Sequence, residues 1–282
     1  MYYTRLQVVC DPEFSEILMA EIAEVGFDTF METEKGFEAY VEERKFNEQQ
    51  LAEVKEKYKE VNPLLFFWDT IQKKNWNEEW ENSLEPIIVD DRCLIRAEFH
   101  TIENLPAGRQ RKYPYEIIIT PKMSFGTGHH QTTYLMIKNQ LYINHENKRL
   151  MDAGCGTAIL SIMASKLKAK EIEAFDIDEW SVINGKENIE NNHCANIRIH
   201  QGKIHELNFE GKFDIILANI NKNVLLAEMK IYASYLNANG QLLLSGFYTE
   251  DIYDLLEEAN KHGFVEQNRD QRENWAALLL KK

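Results

Sequence analysis

Three short segments hold the residues whose types and spacing can do chemistry. They are Phe125-Gly126-Thr127-Gly128-His129-His130-Gln131-Thr132-Thr133, Met151-Asp152-Ala153-Gly154-Cys155-Gly156-Thr157-Ala158-Ile159-Leu160 and Ala174-Phe175-Asp176-Ile177-Asp178. In the middle segment an apolar entry leads into Asp152-x-Gly154-x-Gly156, and Ile159, Leu160, Ile162 and Met163 then begin a helix. Glycines at a strand-to-helix turn let the backbone approach a ligand without a Cβ clash. The helix N-terminus adds a positive dipole end. A dinucleotide-binding turn wants Gly or Ala three residues after Gly156, and this chain has Ile159. An acid two residues before the first glycine instead suits a ligand with a cationic end. The methionine ammonium of S-adenosylmethionine is such an end, so the segment points to that cofactor and away from a nicotinamide dinucleotide.

The flanking segments extend the same pocket. Asp176 closes an apolar strand at about 20 residues beyond the glycines, where an acid accepts hydrogen bonds from ribose hydroxyls. Asp178 reads as the cap of the next helix. Upstream, Phe125 is placed to pack against the cofactor, and Thr133 to bond its polar methionine end. Further on, Phe213 to Ala218 is a strand running into Asn219-Ile220-Asn221. A neutral amide at such a strand end accepts from an amine and is not easily alkylated, so Asn219 is the candidate catalytic residue as well as a cofactor contact. No Pro-Pro-aromatic continuation follows Asn219, which argues against a nucleobase or a glutamine amide as acceptor. Taken alone, the Phe125 loop is equally a glycine loop with a threonine cap, and Asn219 a turn residue. His129 and His130 have no third ligand at useful spacing, and the four cysteines form no CxxC pair, so no metal is expected.

Positioning these residues requires a sheet. From Leu150 the pattern alternates strands and helices, with strands at Glu173 to Asp176, Ile197 to His200, Asp214 to Ala218, Gln241 to Ser245 and Trp275 to Leu280. That alternation implies a doubly wound, mostly parallel α/β sheet over residues 84–282. Three shorter strand-like runs precede it (Ile87 to Val89, Cys93 to Phe99, Glu116 to Thr120). Residues 1–72 read as a separate α+β unit. Strands are expected at Leu6 to Cys10, Phe27 to Thr33, Phe37 to Val41 and Leu64 to Trp68, and helices after Asp11-Pro12 and over Phe46 to Val61. The order βαββαβ is that of a ferredoxin-like domain. Residues 73–83 form a polar linker, in which Trp76 and Trp80 share a face if helical.

The chain has 282 residues and a formal net charge of −14. Such acidity repels phosphate backbones, so direct nucleic-acid binding is not expected. The charge is uneven: residues 1–72 hold 16 acidic and 7 basic side chains, a net −9. This is either ordinary solubility or a docking surface for a basic protein. No apolar run approaches the roughly 20 residues needed to cross a bilayer, and the start lacks a signal core. A cytoplasmic monomer is expected.

Taken together, these residues resemble the ribosomal protein L-eleven methyltransferase family (PrmA-type). Phe125 to Thr133 is that family's most particular signature. Asp152 to Leu160, Asp176-Ile-Asp178, Ala218-Asn-Ile220, Leu244-Ser-Gly246 and Trp275-Ala-Ala-Leu278 follow in its order. The resemblance covers the whole chain. It implies a class I, Rossmann-like S-adenosylmethionine-dependent methyltransferase behind a small domain that recognises the basic ribosomal protein. It implies Thr133, Gly154, Asp176 and Asn219 as the first cofactor contacts. Two departures stand out. Ala158 replaces the usual third glycine and is expected to tighten the pocket. Asn221-Lys222-Asn223 differs from the small and apolar residues common there. The expected reaction is methyl transfer to an uncharged lysine or N-terminal amine. Methylation of another protein or of a small molecule is the alternative, and a nicotinamide oxidoreductase or a non-catalytic binding module are further classes.

Overall fold

The protein is described by a computed structural model covering residues 2–33, 35–59, 61, 63–72, 85–100, 112–120 and 124–282. The expected linker with Trp76 and Trp80 lies outside these residues. Chain contacts divide the protein into two compact units, Met1–Trp80 and Glu81–Lys282.

The first unit runs β1 (Tyr2–Cys10), α1 (Pro12–Glu24), β2 (Thr29–Thr33), β3 (Gly36–Glu42), α2 (Glu48–Lys57) and β4 (Leu64–Gln72). The strands form one antiparallel sheet in the order β2-β3-β1-β4, the ferredoxin-like arrangement. Alternate residues Leu6, Val8 and Cys10 of β1 and Phe37, Ala39 and Val41 of β3 are buried, as period-2 strands with one covered face must be. They share a core with Leu18 and Ile22 of α1 and with Leu51 and Val54 of α2. Asn47 caps α2 by accepting from the amides of Gln49 and Gln50. The last strand is longer than its apolar run suggests. Asp69 to Gln72 pair with Arg5 to Tyr2, so the ladder is set by the length of β1 rather than by hydrophobicity.

The second unit is built on a seven-stranded sheet. Its strands are β8 (Arg149–Ala153), β9 (Glu171–Asp176), β10 (Ile197–Gln201), β11 (Phe213–Asn219), β12 (Leu236–Tyr248), β13 (Val265–Arg272) and β14 (Trp275–Lys281). The order is β10-β9-β8-β11-β12-β14-β13. The first five are parallel, and β14 returns antiparallel between β12 and β13. Helices α3 (Gln131–Gln140), α4 (Ile159–Lys166), α5 (Glu179–Asn191), α6 (Lys222–Tyr235) and α7 (Ile252–Lys261) flank it. The central strands are buried on both faces. In β11, Ile215 and Leu217 join one core with Met136, Ile137, Leu160 and Met163, while Ile216 and Ala218 join another with Leu225, Met229, Tyr232 and Leu255. Thus α4, after β8, and α6, after β11, pack on opposite faces of neighbouring strands. The chain reverses there, and a crevice opens beyond the carboxyl ends of β8 and β11.

Strand β13 is absent from the pattern of apolar runs because it is a polar edge strand whose side chains mostly face water. It is specified by pairing with β14, which the sequence pattern alone does not reveal. A small sheet of β5 (Ile87–Val89), β6 (Cys93–Arg96) and β7 (Tyr115–Ile118) lies ahead of the main one. Buried side-chain amides of α5 and of Asn192, its C-cap, tie down the last strand and the residues after it. Asn192 accepts from the Ile118 amide at 2.9 Å and donates to its carbonyl at 2.6 Å, and Asn188 accepts from Thr120 at 2.8 Å.

Candidate active site

The crevice contains a cavity of about 550 Å³, within the ordinary range for a small-molecule site. Gly154 and Gly156 form part of its wall, at the turn between β8 and α4. Both have positive φ, +67° and +52°. A Cβ on Gly156 would lie 2.3 Å from the carbonyl oxygen of Phe125, and one on Gly154 would lie 2.3 Å from Cγ2 of Ile220. The turn is therefore pressed between the upstream glycine loop and the end of β11. Thr157 fastens the first contact: its amide donates to Phe125 O at 3.0 Å and its hydroxyl to Gly126 O at 2.6 Å. Asn188 extends the fastening by donating to Thr157 O at 3.1 Å.

Asp176 ends β9 at the cavity wall. Its carboxylate accepts from the Gly156 amide at 2.9 Å and from the Asp178 amide at 3.0 Å. It thereby fixes the glycine turn while keeping acceptor capacity for hydroxyl groups. Asp178 caps α5, as expected, by accepting from the amide and hydroxyl of Ser181 at 2.8 and 2.9 Å.

Asn219 lines the cavity at the end of β11, and its Oδ1 is buried without a hydrogen-bond partner. Thr133 is fully buried in the first turn of α3 and does not line the cavity, and its hydroxyl oxygen likewise has no partner. The adjacent Thr132 reaches the wall. Unsatisfied buried polar atoms are costly, of order 1–3 kcal/mol each. The one on Asn219 lies at the cavity wall, where a polar ligand can satisfy it.

Asp152 departs from its expected place. It is fully buried and does not line the cavity. One carboxylate oxygen accepts from the amide and hydroxyl of Ser161 at 3.0 and 2.6 Å, and the other has no partner. Burial pushes its pKa up to about 7, against the opposing pull of the Ser161 bonds. The unfolded chain sheds this proton near pH ~4. The folded chain holds it to about 7, so stability falls as pH rises across that window, by at most about 4 kcal/mol, and is flat above it. Asp152→Asn is expected to remove this slope and to raise the ligand-free melting temperature above about pH 7. Urea unfolding of both proteins across the window checks this, and parallel slopes would refute it.

Ala158 also differs from expectation. It is buried with φ +62° as the N-cap of α4 and is absent from the cavity wall. Its methyl faces Gly185 of α5, where an added Cβ would approach it to 3.4 Å. It tightens the packing of α4 on α5, not the pocket. In the other variant stretch, Asn221 caps α6, and Lys222 pairs with Asp251 at 2.8 Å and Asp254 at 2.6 Å, so this lysine braces α6 against α7.

The structure thus gathers Phe125, Gly154, Asp176 and Asn219 around one cavity, while Thr133 is buried and off its wall. It adds His130, Lys203, Glu228 and Trp275, which were not read as site residues. Phe125 is half exposed and meets His130 ring to ring at 5.2 Å, and His130 meets Trp275 at 4.7 Å. Burial lowers the pKa of His130.

Comparison with known proteins gives a consistent picture. The family model described as "Ribosomal protein L11 methyltransferase (PrmA)" matches residues 12–282. The ribosomal protein L11 methyltransferase of Bacteroides fragilis is 40% identical over 271 residues, covering 95% of this chain and 94% of the relative. That of Porphyromonas gingivalis is 41% identical over 265 residues, covering 93% and 89%. Among solved structures, the ribosomal protein L11 methylase from Lactobacillus delbrueckii subsp. bulgaricus aligns with a TM-score of 0.62 at 26% identity, covering 70% of this chain and 98% of that one.

Proposed function

The chain belongs to the ribosomal protein L11 methyltransferase (PrmA) family, and on that premise we propose that it methylates amines of the large-subunit ribosomal protein L11 with S-adenosylmethionine as donor. One observation carries the chemical part. The buried, unpartnered Oδ1 of Asn219 lies on a cavity whose wall also holds the Gly154–Gly156 turn. The residues fit the cofactor. Gly154 and Gly156 admit its backbone-hugging part, Asp176 offers a carboxylate to ribose hydroxyls, and Thr133 and Asn219 offer unfilled polar atoms. Phe125 supplies an apolar face.

When bound, the cofactor supplies an electrophilic methyl on a sulfonium. The chain's task is to present a neutral amine to it. Lysine has a reference pKa near 10.4, and a desolvated cavity lowers the cost of the uncharged form. Asn219 accepts an N–H of the acceptor and thereby aims the nitrogen lone pair. Such orientation can supply roughly 7–11 kcal/mol of the barrier reduction. Three carboxylates at the cavity are already engaged: Asp176 with backbone amides, Asp178 with Ser181, and Glu228 with Tyr232 at 2.5 Å. The proton released by the amine passes to solvent.

The acidic segment of residues 1–72 is the docking module for the basic protein, and the reaction takes place in the cytoplasm. No described helix is long and apolar enough to cross a membrane. Deletion of residues 1–72 is expected to leave cofactor affinity within about twofold while methylation of the protein falls roughly 100-fold, since remote binding energy is lost. Isothermal titration with the cofactor and mass spectrometry of the ribosomal protein test the two halves. Undiminished methylation after deletion would refute the docking role. Turnover on small amines without the ribosomal protein, and none with it, would refute the substrate.

A further inference from the structure

Helix α5 holds two parts of the chain at once. It carries the side-chain amides of Asn184, Asn188 and Asn191, and Asn192 follows as its C-cap. Asparagine is a poor helix former, because its side chain competes for nearby backbone groups. Here the amides turn instead to the end of β7 and the residues after it. Asn192 exchanges two bonds with Ile118, and Asn191 donates to the Thr120 hydroxyl at 3.2 Å. Asn188 differs from these in its second partner. It is fully buried, its Oδ1 accepts from the Thr120 amide at 2.8 Å, and its Nδ2 donates to the Thr157 carbonyl at 3.1 Å. Thr157 follows Gly156 in the turn between β8 and α4 and carries the upstream loop. Its amide donates to Phe125 O at 3.0 Å and its hydroxyl to Gly126 O at 2.6 Å. Asn188 therefore grips the chain just past the small sheet, at Thr120. Through Thr157 it also acts where the chain joins the cavity wall, at Phe125.

Packing supports this link. Residues three apart on a helix share a face, so Gly185 stands beside Asn188. A Cβ on Gly185 would lie 3.2 Å from Gly156 O and 3.4 Å from the Ala158 Cβ, so α5 comes close to the turn there. The turn is thus held through its Gly156 amide by Asp176 and through its Thr157 carbonyl by Asn188. Asp176 lines the cavity and Asn188 does not. For a ligand, the consequence is preorganisation. Binding costs free energy for every group that must be ordered in the event, and a wall fixed beforehand avoids that cost. Removing the Asn188 amide takes a partner from both backbone groups and frees the turn and the Phe125 loop to move.

We propose that Asn188 is a positioning residue for the cofactor. It touches no ligand, and it holds the Gly156–Thr157 turn and the Phe125 loop in the arrangement that binds S-adenosylmethionine. This rests on the cofactor use proposed above. The test uses the full chain and S-adenosylmethionine itself. Asn188→Leu, similar in size and without polar side-chain atoms, is expected to raise the Kd from isothermal titration, and the KM for the cofactor, about tenfold. Its kcat at saturating cofactor is expected to stay within about threefold, because Asn219 is untouched. Asn192→Leu is the control. It cuts the same helix from the same strand and makes no bond to the turn. It is expected to lower the urea midpoint at least as much and to leave the cofactor Kd within about twofold. If Asn188→Leu does not fold by circular dichroism, Asn188→Ser, which keeps one polar atom and cannot bridge two backbone groups, carries the same comparison. A lowered urea midpoint with unchanged cofactor Kd in the Asn188 variant would overturn the proposal. Equal weakening of cofactor binding by Asn192→Leu would overturn it too. An unaltered chain that binds no S-adenosylmethionine would overturn the cofactor reading itself, and this proposal with it.

Discussion

Replacing Gly156 with alanine is expected to abolish measurable cofactor binding and to cost roughly 2–5 kcal/mol of folding stability. Two separate terms add. The residue has φ +52°, where a Cβ meets the following carbonyl and costs roughly 1–2 kcal/mol. The new methyl would also stand 2.3 Å from the Phe125 carbonyl oxygen. That oxygen is backbone, held by the Thr157 amide, so no rotamer change can relieve the overlap. The Phe125 loop or the turn must move, and both line the cavity. Gly263 is the internal control. It has φ +82° with nothing within 4 Å of an added Cβ, so Gly263→Ala isolates the backbone term. Denaturant unfolding of the two variants separates strain from overlap. Equal losses would show that the Phe125 contact is unimportant, and retained cofactor affinity in Gly156→Ala would remove the turn from the site.

Asn219→Ala is expected to lower kcat by roughly 100- to 1,000-fold, in line with the loss of one preorganised polar group at a reacting centre. The same variant is expected to fold at least as stably as the parent. Its Oδ1 has no partner in the folded chain, so truncation removes an unsatisfied buried acceptor and no hydrogen bond through that oxygen. Lost turnover with undiminished stability is the signature of a residue held for its ligand. Loss of stability in step with activity would reassign Asn219 to a structural role. Retention of both cofactor affinity and turnover would end its candidacy altogether.

How much of this was legible in the residues varies with the range of the interaction that decides each part. The glycine turn is legible because its steric demands act over a few bonds. Asp178 is legible as a cap because capping needs only the next turn of chain. The βα alternation is legible because burial on both faces makes each central strand a short apolar run. Strand β13 is not, because a polar edge strand exists through its pairing with β14. Asp152 looks like a ligand group in the linear motif, yet its carboxylate turns into the protein toward Ser161. Ala158 looks like part of the pocket from its spacing, yet the left-handed turn points its methyl at α5.

The sequence by itself determined the class of fold and a pocket for a nucleoside-bearing cofactor, because periodicity, glycine placement and a strand-end acid are local properties. It also marked Asn219, since a strand end beside the reversal of chain order is where ligands meet the sheet. Only the tertiary structure brought Phe125, His130 and Trp275 to one cavity. Phe125 and His130 precede the sheet, and Trp275 stands near the end of the chain. They meet because β14 returns antiparallel between β12 and β13 and carries Trp275 to the crevice. Distance across a sheet depends on strand order, and strand order is set by long-range pairing that no local pattern encodes.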